Sequence, residues 1–131
     1  MRPLIALAFC FLLASSHAHA CRGHAMEDSL FLANVPNPPP EAEVIAQVSL
    51  SHVNEGTATA TVMQVLKATD ARVRQGDRIS MRFNYSSCGP HHQNGEEGVI
   101  IAKAGTDSES RLVLYPYVRR YGDGRITPPS M

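Results

Sequence analysis

Apolar and polar residues alternate along most of the chain after residue 43, as they do in β-strands that bury one face. The cleanest run is at residues 79–85, where Ile79, Met81 and Phe83 alternate with polar neighbours. The pattern predicts five strands, at residues 44–50, 57–66, 79–85, 99–104 and 112–118. Several short strands separated by turn residues are typical of a small barrel or sandwich, so we expect an all-β domain.

Three local details sharpen this prediction. In the second predicted strand, Ala60, Val62 and Leu66 are assigned to the same side. Residues 54–56 (Asn-Glu-Gly) predict a turn between the first two strands. Outside the strands, residues 27–33 are the best candidate for a short helix, and no longer amphipathic helix is predicted.

The first twenty residues have the features of a cleavable export signal. Arg2 precedes eleven apolar residues at 4–14, and residues 18–20 (Ala-His-Ala) have the small-x-small pattern that signal peptidase reads. Eleven apolar residues are too few for a membrane-spanning helix, which needs about 20. We therefore expect residues 1–20 to be removed, no membrane span to remain, and the protein to be secreted or periplasmic. A buried N-terminal helix is the alternative.

Cleavage after residue 20 would make Cys21 the first residue of the mature chain and would remove Cys10. The two remaining cysteines, Cys21 and Cys88, favour one disulfide in an oxidising compartment, with two reduced thiols as the alternative. One bridge between them would close a loop of about 68 residues and stabilise the fold by about 4 kcal/mol. A lipid anchor on Cys21 is disfavoured, because Ala18 and His19 replace the residues that a lipoprotein signal prefers.

Length and composition limit the organisation of the chain. Its 131 residues support one domain, expected at residues 21–118, followed by a C-terminal tail at residues 119–131. Twelve Lys and Arg residues balance twelve Asp and Glu residues, which argues against a nucleic-acid-binding surface. The chain has no Trp and only four Phe and four Tyr, so the core is expected to consist mainly of Val, Ile, Leu and Met.

Two segments of the sequence resemble a known family in their order and spacing. The first reads TVMQVLK at residues 61–67 and, after a gap, GDRISMRF at residues 76–83. The second reads SSCGPHHQNGEEGVIIAKA at residues 86–104. Together with a cysteine at the mature N-terminus, they resemble the inhibitory N-terminal domain of the tissue inhibitors of metalloproteinases, which belongs to the netrin-like group. The resemblance implies a small five-stranded OB-type barrel.

The resemblance also implies a Cys21–Cys88 disulfide and an inhibitory mature N-terminus. In this family the α-amino and carbonyl groups of the first residue, here Cys21, bind the zinc of the target enzyme, which keeps one coordination position open. Arg22 would contact the specificity pocket of that enzyme. The loop near the reactive edge would contain Gly89, Pro90 and His91. The implied protein is not an enzyme and needs no cofactor of its own. Its implied partner is a secreted or envelope protein, in particular a zinc metalloendopeptidase.

Two residues depart from the pattern of this family. Gly23 stands where the family usually has a second cysteine, and Arg22 replaces a small hydroxylated residue. A long cation in a mostly apolar pocket is unfavourable unless a carboxylate meets it. The alternative function is therefore a non-inhibitory interaction module, which acts as an adhesion or scaffold protein in the envelope or outside the cell.

Histidines near the cysteines offer two other hypotheses. His24, His91 and His92 are of a type that binds Zn or Cu, but their spacing matches no metal signature, and surface histidines are the simpler interpretation. A catalytic interpretation makes Cys88 a nucleophile with His91 or His92 as its base, which an oxidising compartment disfavours.

Charged residues offer two further hypotheses. Glu96 and Glu97 are adjacent, so on a strand they would point to opposite faces and would not act as paired acids. A small basic cluster around the third strand consists of Arg72, Arg74, Arg78 and Arg82. An OB barrel with such a cluster could bind oligonucleotides or sugars. Without net positive charge or an aromatic platform, solvated surface charges are the preferred interpretation.

Overall fold

Alternating side chains on five strands line a closed β-barrel in the computed structural model, which describes residues 28–32, 42–86, 89–120, 125–129 and 131. The barrel strands are β1 (Val44–Asn54), β2 (Thr57–Ala68), β3 (Arg78–Arg82), β4 (Glu97–Thr106) and β5 (Leu112–Pro116). Their order around the barrel is β1-β2-β3-β5-β4, and β4 pairs back with β1. Only the β3–β5 pair is parallel. This OB-type arrangement confirms the expected fold class.

The barrel interior is filled by small and aliphatic side chains. Val44, Ala46, Val48 and Leu50 point inward from β1, as their alternation predicts. They meet Ala58, Ala60, Val62, Ile79, Met81, Ile100, Ala102 and Leu114 from the other strands. The expected core of Val, Ile, Leu and Met side chains is confirmed, and within the described ranges it also contains four alanines. Each buried methylene contributes about 0.8 kcal/mol, so this interior is the main source of stability.

Two bulges in β2 change which of its side chains face the core. The register with β1 passes over Met63 and then over Leu66, so β2 has one extra residue at each place. Both side chains are exposed, Met63 by 42% and Leu66 by 53%. The prediction that Leu66 shares the side of Ala60 and Val62 is therefore wrong. Bulges bend a strand and increase its twist, which helps the long β1–β2 pair to curve around the barrel.

Two other predicted elements also differ from the structure. No helix forms at residues 28–32, the described part of the expected helix at 27–33, because neighbouring strands bind its backbone. The third strand ends at Arg82 instead of residue 85. There the Phe83 amide donates to the carbonyl oxygen of Gly56 over 2.9 Å, so the chain turns toward the β1–β2 connection. The predicted turn before β2 is confirmed, and Gly56 has a φ of +71° in it.

Residues 29–32 pack against the barrel, with an isolated backbone bridge at Ser29 and a bend at Leu30. Ser29 and Arg119 exchange two backbone hydrogen bonds, of 3.0 and 2.8 Å, and the Leu32 amide donates to the Val99 carbonyl oxygen over 2.8 Å. A second apolar cluster contains Leu32, Ala42, Ile45, Ile101 and Tyr117. Ile45 and Ile101, on the outer faces of β1 and β4, are therefore buried in this cluster.

The C-terminal part of the chain adds a small sheet. The predicted strand at residues 112–118 is split, because β5 ends at Pro116 and a second strand, β6 (Val118–Arg119), follows. It pairs with β7 (Ile126–Thr127), which lies within the segment expected to be a tail. Ile126 packs against the outer apolar cluster.

Several predictions concern residues outside the described ranges. These are the export signal at residues 1–20, Cys21, Arg22 and Cys88, so cleavage and the disulfide stay predictions. Across the ranges that the structure does describe, no helix has the length and apolar character needed to cross a membrane.

The β4–β5 turn is held by the carboxylate of Asp107. Its Oδ1 accepts hydrogen bonds from the amides of Glu109 and Arg111, each over 2.9 Å, and its Oδ2 accepts one from Arg111 Nε over 3.0 Å. The Arg111 amide, with the guanidinium group and the Glu109 amide, holds the pKa of Asp107 below its ordinary value. These bonds also support Ser110, which has a φ of +62°.

We predict that the Asp107 carboxylate makes the fold sensitive to acid. Because its pKa is lower in the folded state, its contribution is full above the unfolded value of about 3.9 and is lost as the pH falls through the folded value. Asp107→Asn should therefore lower the melting temperature at pH 6, and its difference from the wild type should shrink toward pH 2. Glu109→Gln removes a charge from the same turn and should keep the wild-type pH dependence. A difference in melting temperature between Asp107→Asn and the wild type that stays constant from pH 6 to pH 2 would contradict this assignment.

We predict a steric limit at Gly98 in β4. A Cβ atom there would overlap the ring of Phe31, so the ring and its segment would have to move. Gly98→Ala should destabilise the fold by about 1–3 kcal/mol in urea unfolding. In a protein that already contains Phe31→Ala, Gly98→Ala should be less destabilising, and the double-mutant cycle should give a coupling free energy of about 1 kcal/mol. Strictly additive effects would show that the two residues do not pack together.

Candidate functional site

The residues predicted for the site are only partly within the described chain. Cys21, Arg22 and Cys88 lie outside it, as does His24. The loop residues Gly89, Pro90 and His91 lie within it, between β3 and β4. The geometry of the site is therefore that of this loop and of the segment Ser29–Leu32, the described part of the chain nearest in sequence to Cys21.

A tight backbone bridge shapes the loop where it leaves residue 88. The Ser86 amide donates to the Gly89 carbonyl oxygen over 3.2 Å, and the Gly89 amide donates to that of Ser86 over 3.0 Å. Gly89 has a φ of +119°, a conformation that favours glycine. Gly89 and Pro90 are both buried and are joined by a cis peptide bond. The bridge thus fixes the two residues that flank the pair 87–88.

The adjacent histidines have different environments. His91 is exposed, and its ring meets that of Tyr85 edge-on at 5.8 Å. The His92 side chain is only 5% exposed. Its Nε2 accepts a hydrogen bond from the Leu30 amide over 3.1 Å, and its Nδ1 lies 2.6 Å from Glu96 Oε2. An amide can only donate, so Nε2 is the unprotonated nitrogen, and Nδ1 donates to Glu96.

His92 therefore joins the start of the described chain to the β3–β4 loop. Its ring packs edge-on against Phe31, with the centroids 4.7 Å apart. Leu30 is fully buried and belongs to the barrel core. On its other side the loop is tied to β1, because the Val53 amide donates to Asn94 Oδ1 over 2.9 Å. One histidine ring thus connects two segments that are 62 residues apart in sequence.

These contacts bear on the alternative chemistries. Both ring nitrogens of His92 already have partners, so its geometry is that of a structural residue and not of an open base. Glu96 binds His92, while Glu97 begins β4, so the two acids have separate roles. Within the described ranges, no three His, Cys, Asp or Glu side chains converge on a common metal position.

Local sequence patterns did not identify the partnership of Leu30 with His92. The only available signal was the apolar run Leu30-Phe31-Leu32, which the pattern assigned to a helix instead of to a covering strand. His91 and His92 are also indistinguishable by spacing, and only the tertiary contacts separate the exposed ring from the buried one.

We predict that His92 holds the segment Ser29–Leu32 on the barrel. His92→Ala leaves the buried Leu30 amide without an acceptor, which destabilises by about 1–3 kcal/mol. Hydrogen exchange at Leu30, followed by NMR or mass spectrometry, should accelerate about tenfold or more. His91→Ala, a change at the exposed neighbour, should leave this exchange nearly unchanged. Equal protection of Leu30 in both variants would contradict this role.

Comparisons with known proteins add no relative. No protein-family model matches the chain, and no curated protein or solved structure matches it either.

Proposed function

We propose that the protein is an exported inhibitor of a zinc metalloendopeptidase and acts through its mature N-terminus at Cys21. In this proposal the α-amino nitrogen and the carbonyl oxygen of Cys21 bind the zinc of the target enzyme together. The zinc ion belongs to the partner, where a catalytic site keeps one position open for water or substrate. The protein itself binds and does not transform a substrate.

The observation that carries this proposal is the hydrogen bond from the Leu30 amide to His92. It holds the beginning of the described chain against the loop that follows residue 88. Asp28 lies seven residues after Cys21, a distance of about 25 Å at most in an extended chain. That reach allows the mature N-terminus to lie beside the loop of residues 89–91, which is the position that the proposal requires.

Chemistry favours an N-terminal residue for this role. Only the first residue of a chain presents a free amine and a carbonyl oxygen in position to form a five-membered chelate. An α-amino group has a pKa of about 7.7–8.0 in general, so little free energy is needed to deprotonate it near neutral pH. A disulfide from Cys21 to Cys88 would fix the chelating atoms and reduce the ordering entropy lost on binding.

A second candidate function is supported by Arg22. Its guanidinium group would enter the specificity pocket next to the zinc, where it needs a carboxylate to be stable. If the target has none, the same barrel would act as a non-inhibitory interaction module of the envelope or extracellular space. The two functions differ in one requirement, since only the inhibitor needs a free amine at Cys21.

We predict that a single residue added before Cys21 abolishes inhibition. Correctly processed protein, with its N-terminus and disulfide checked by intact mass before and after reduction, should inhibit at least one member of a panel of zinc endopeptidases. An extra Ala before Cys21 displaces the amine from the chelate, so inhibition should fall by at least about 100-fold. An extra Ala after Met131 is the matched control and should have no effect.

Three outcomes would contradict this function. One is that the correctly processed protein inhibits no enzyme of the panel at high micromolar concentration. Another is that the native material has an acylated Cys21 nitrogen, because an acylated amine cannot bind the metal. The third is that inhibition is equal with and without the added Ala, which would place the inhibitory contact elsewhere on the barrel.

A further inference from the structure

The outward face of β3 has a polar surface that the proposed inhibitory function does not use. Its side chains alternate between exposed and buried, so Arg78, Ser80 and Arg82 all point away from the core. On β2, the residues paired with them are Thr61, Thr59 and Thr57, in that order. Three hydroxyl-bearing threonines therefore lie beside two arginines and a serine across two adjacent strands.

Two shallow depressions follow this face and share Ser80 and Arg111. One, of about 280 Å³, extends from His52 near the β1–β2 turn to Asp107 in the β4–β5 turn. The other, of about 400 Å³, continues past Arg78 to Arg72. We call the two together the β3 groove. Its length along the strand suits an elongated ligand better than a compact one.

The charge of the β3 groove comes from Arg78 and Arg82. Both are exposed, and the guanidinium group of neither has an ion pair or a hydrogen bond within the part of the chain that the structure describes. Two acids also line the described groove. Asp107 is paired with Arg111 and is only 7% exposed, whereas Asp77 keeps its negative charge, because among the described residues its Oδ2 accepts only from the neutral Arg74 amide, over 3.2 Å.

The other cations of the groove are paired. Arg72 binds Asp70 at 2.7 Å, and Arg111 binds both Asp107 and Glu109 at 3.0 Å. The Cα atoms of Arg78 and Arg82 are four residues apart on one strand, or about 13 Å. A ligand with several anionic groups can bind both guanidinium groups at once. A single small anion can bind only one of them, because the two side chains project from the sheet in parallel.

Structural features argue against two common kinds of elongated ligand. A peptide that adds a strand needs a free edge, but β3 pairs with β2 on one side and with β5 on the other. Single-stranded nucleic acid stacks its bases on aromatic side chains, and no Phe, Tyr or Trp is among the residues that line the described groove. A chain of sugars needs neither, because its hydroxyls can bind to Thr57, Thr59 and Ser80.

We propose that the β3 groove binds an acidic oligosaccharide. Arg78 and Arg82 bind its carboxylate or sulfate groups, and the hydroxyls of Thr57, Thr59 and Ser80 exchange hydrogen bonds with those of the sugar rings. This site is independent of Cys21 and of the β3–β4 loop. A test that contradicts the inhibitory function would therefore leave this proposal unaffected, and the reverse also holds.

Calorimetric titration of the mature protein with four probes tests this proposal. The probes are a sulfated heparin oligosaccharide, a carboxylated oligogalacturonate, a neutral dextran oligosaccharide and oligo(dT). We expect binding of at least one of the two acidic sugars and no binding of dextran. The tighter of the two identifies the anionic group, sulfate or carboxylate.

Charge-matched variants locate the binding. Arg78→Gln and Arg82→Gln should each weaken binding of the acidic sugar about tenfold, the loss expected for one charge-assisted contact, and the double variant should abolish it. Arg120→Gln removes the same charge from an exposed position outside the groove and should leave the affinity unchanged. Thermal unfolding confirms that each variant is folded.

Three results would overturn the proposal. If neither acidic sugar binds, the groove does not recognise the proposed class of ligand. Equal weakening by Arg120→Gln would show a general charge effect instead of a site. Binding of oligo(dT) as tight as that of the acidic sugars would show that sugar rings are not what the groove recognises.

Discussion

Closure of the barrel through β1 is the constraint on which the rest of the structure depends. Residues 44–49 of β1 pair with β2 on one edge and with β4 on the other. Because both edges are occupied, β1 cannot slip by one residue without turning Val44, Ala46 and Val48 out of the core. A fixed β1 in turn fixes the outer apolar residue Ile45, against which the cluster containing Leu32 packs. The position of Leu32 therefore follows from the register of the barrel.

The attachment through His92 explains why the proposed inhibitory function needs the disulfide. It acts at Leu30, and six residues lie between Cys21 and Asp28. Ordering each of them in a complex would cost about 1–2 kcal/mol of backbone entropy. A bridge to residue 88, next to the loop that His92 already fixes, would remove part of this loss before binding. The Leu30–His92 hydrogen bond and the predicted disulfide would thus both reduce the backbone entropy lost on binding, each at one end of the segment from residue 21 to residue 30.

The sequence predicts those parts of the fold that depend on local alternation. Inward residues such as Val48 and Met81 repeat every second position, so the strands and the core could be identified. Leu66 was misplaced because a bulge adds a residue and inverts the alternation, a change that depends on pairing with β1. The helix at 27–33 was wrong because Ser29 and Leu32 bind β6 and β4, which lie far away in sequence. The role of His92 depends on such a distant contact too.

The two proposed binding surfaces are related by the same closed barrel. β3 is separated from β1 by β2 and from β4 by β5, so the β3 groove faces away from the β1–β4 seam that the segment Ser29–Leu32 covers. His52 lines the groove next to Val53, whose amide donates to Asn94 of the β3–β4 loop, so the end of β1 links the groove to that loop. An acidic polysaccharide bound along β3 would therefore leave uncovered residues 29–32 and the loop residues 89–91, none of which lines the groove.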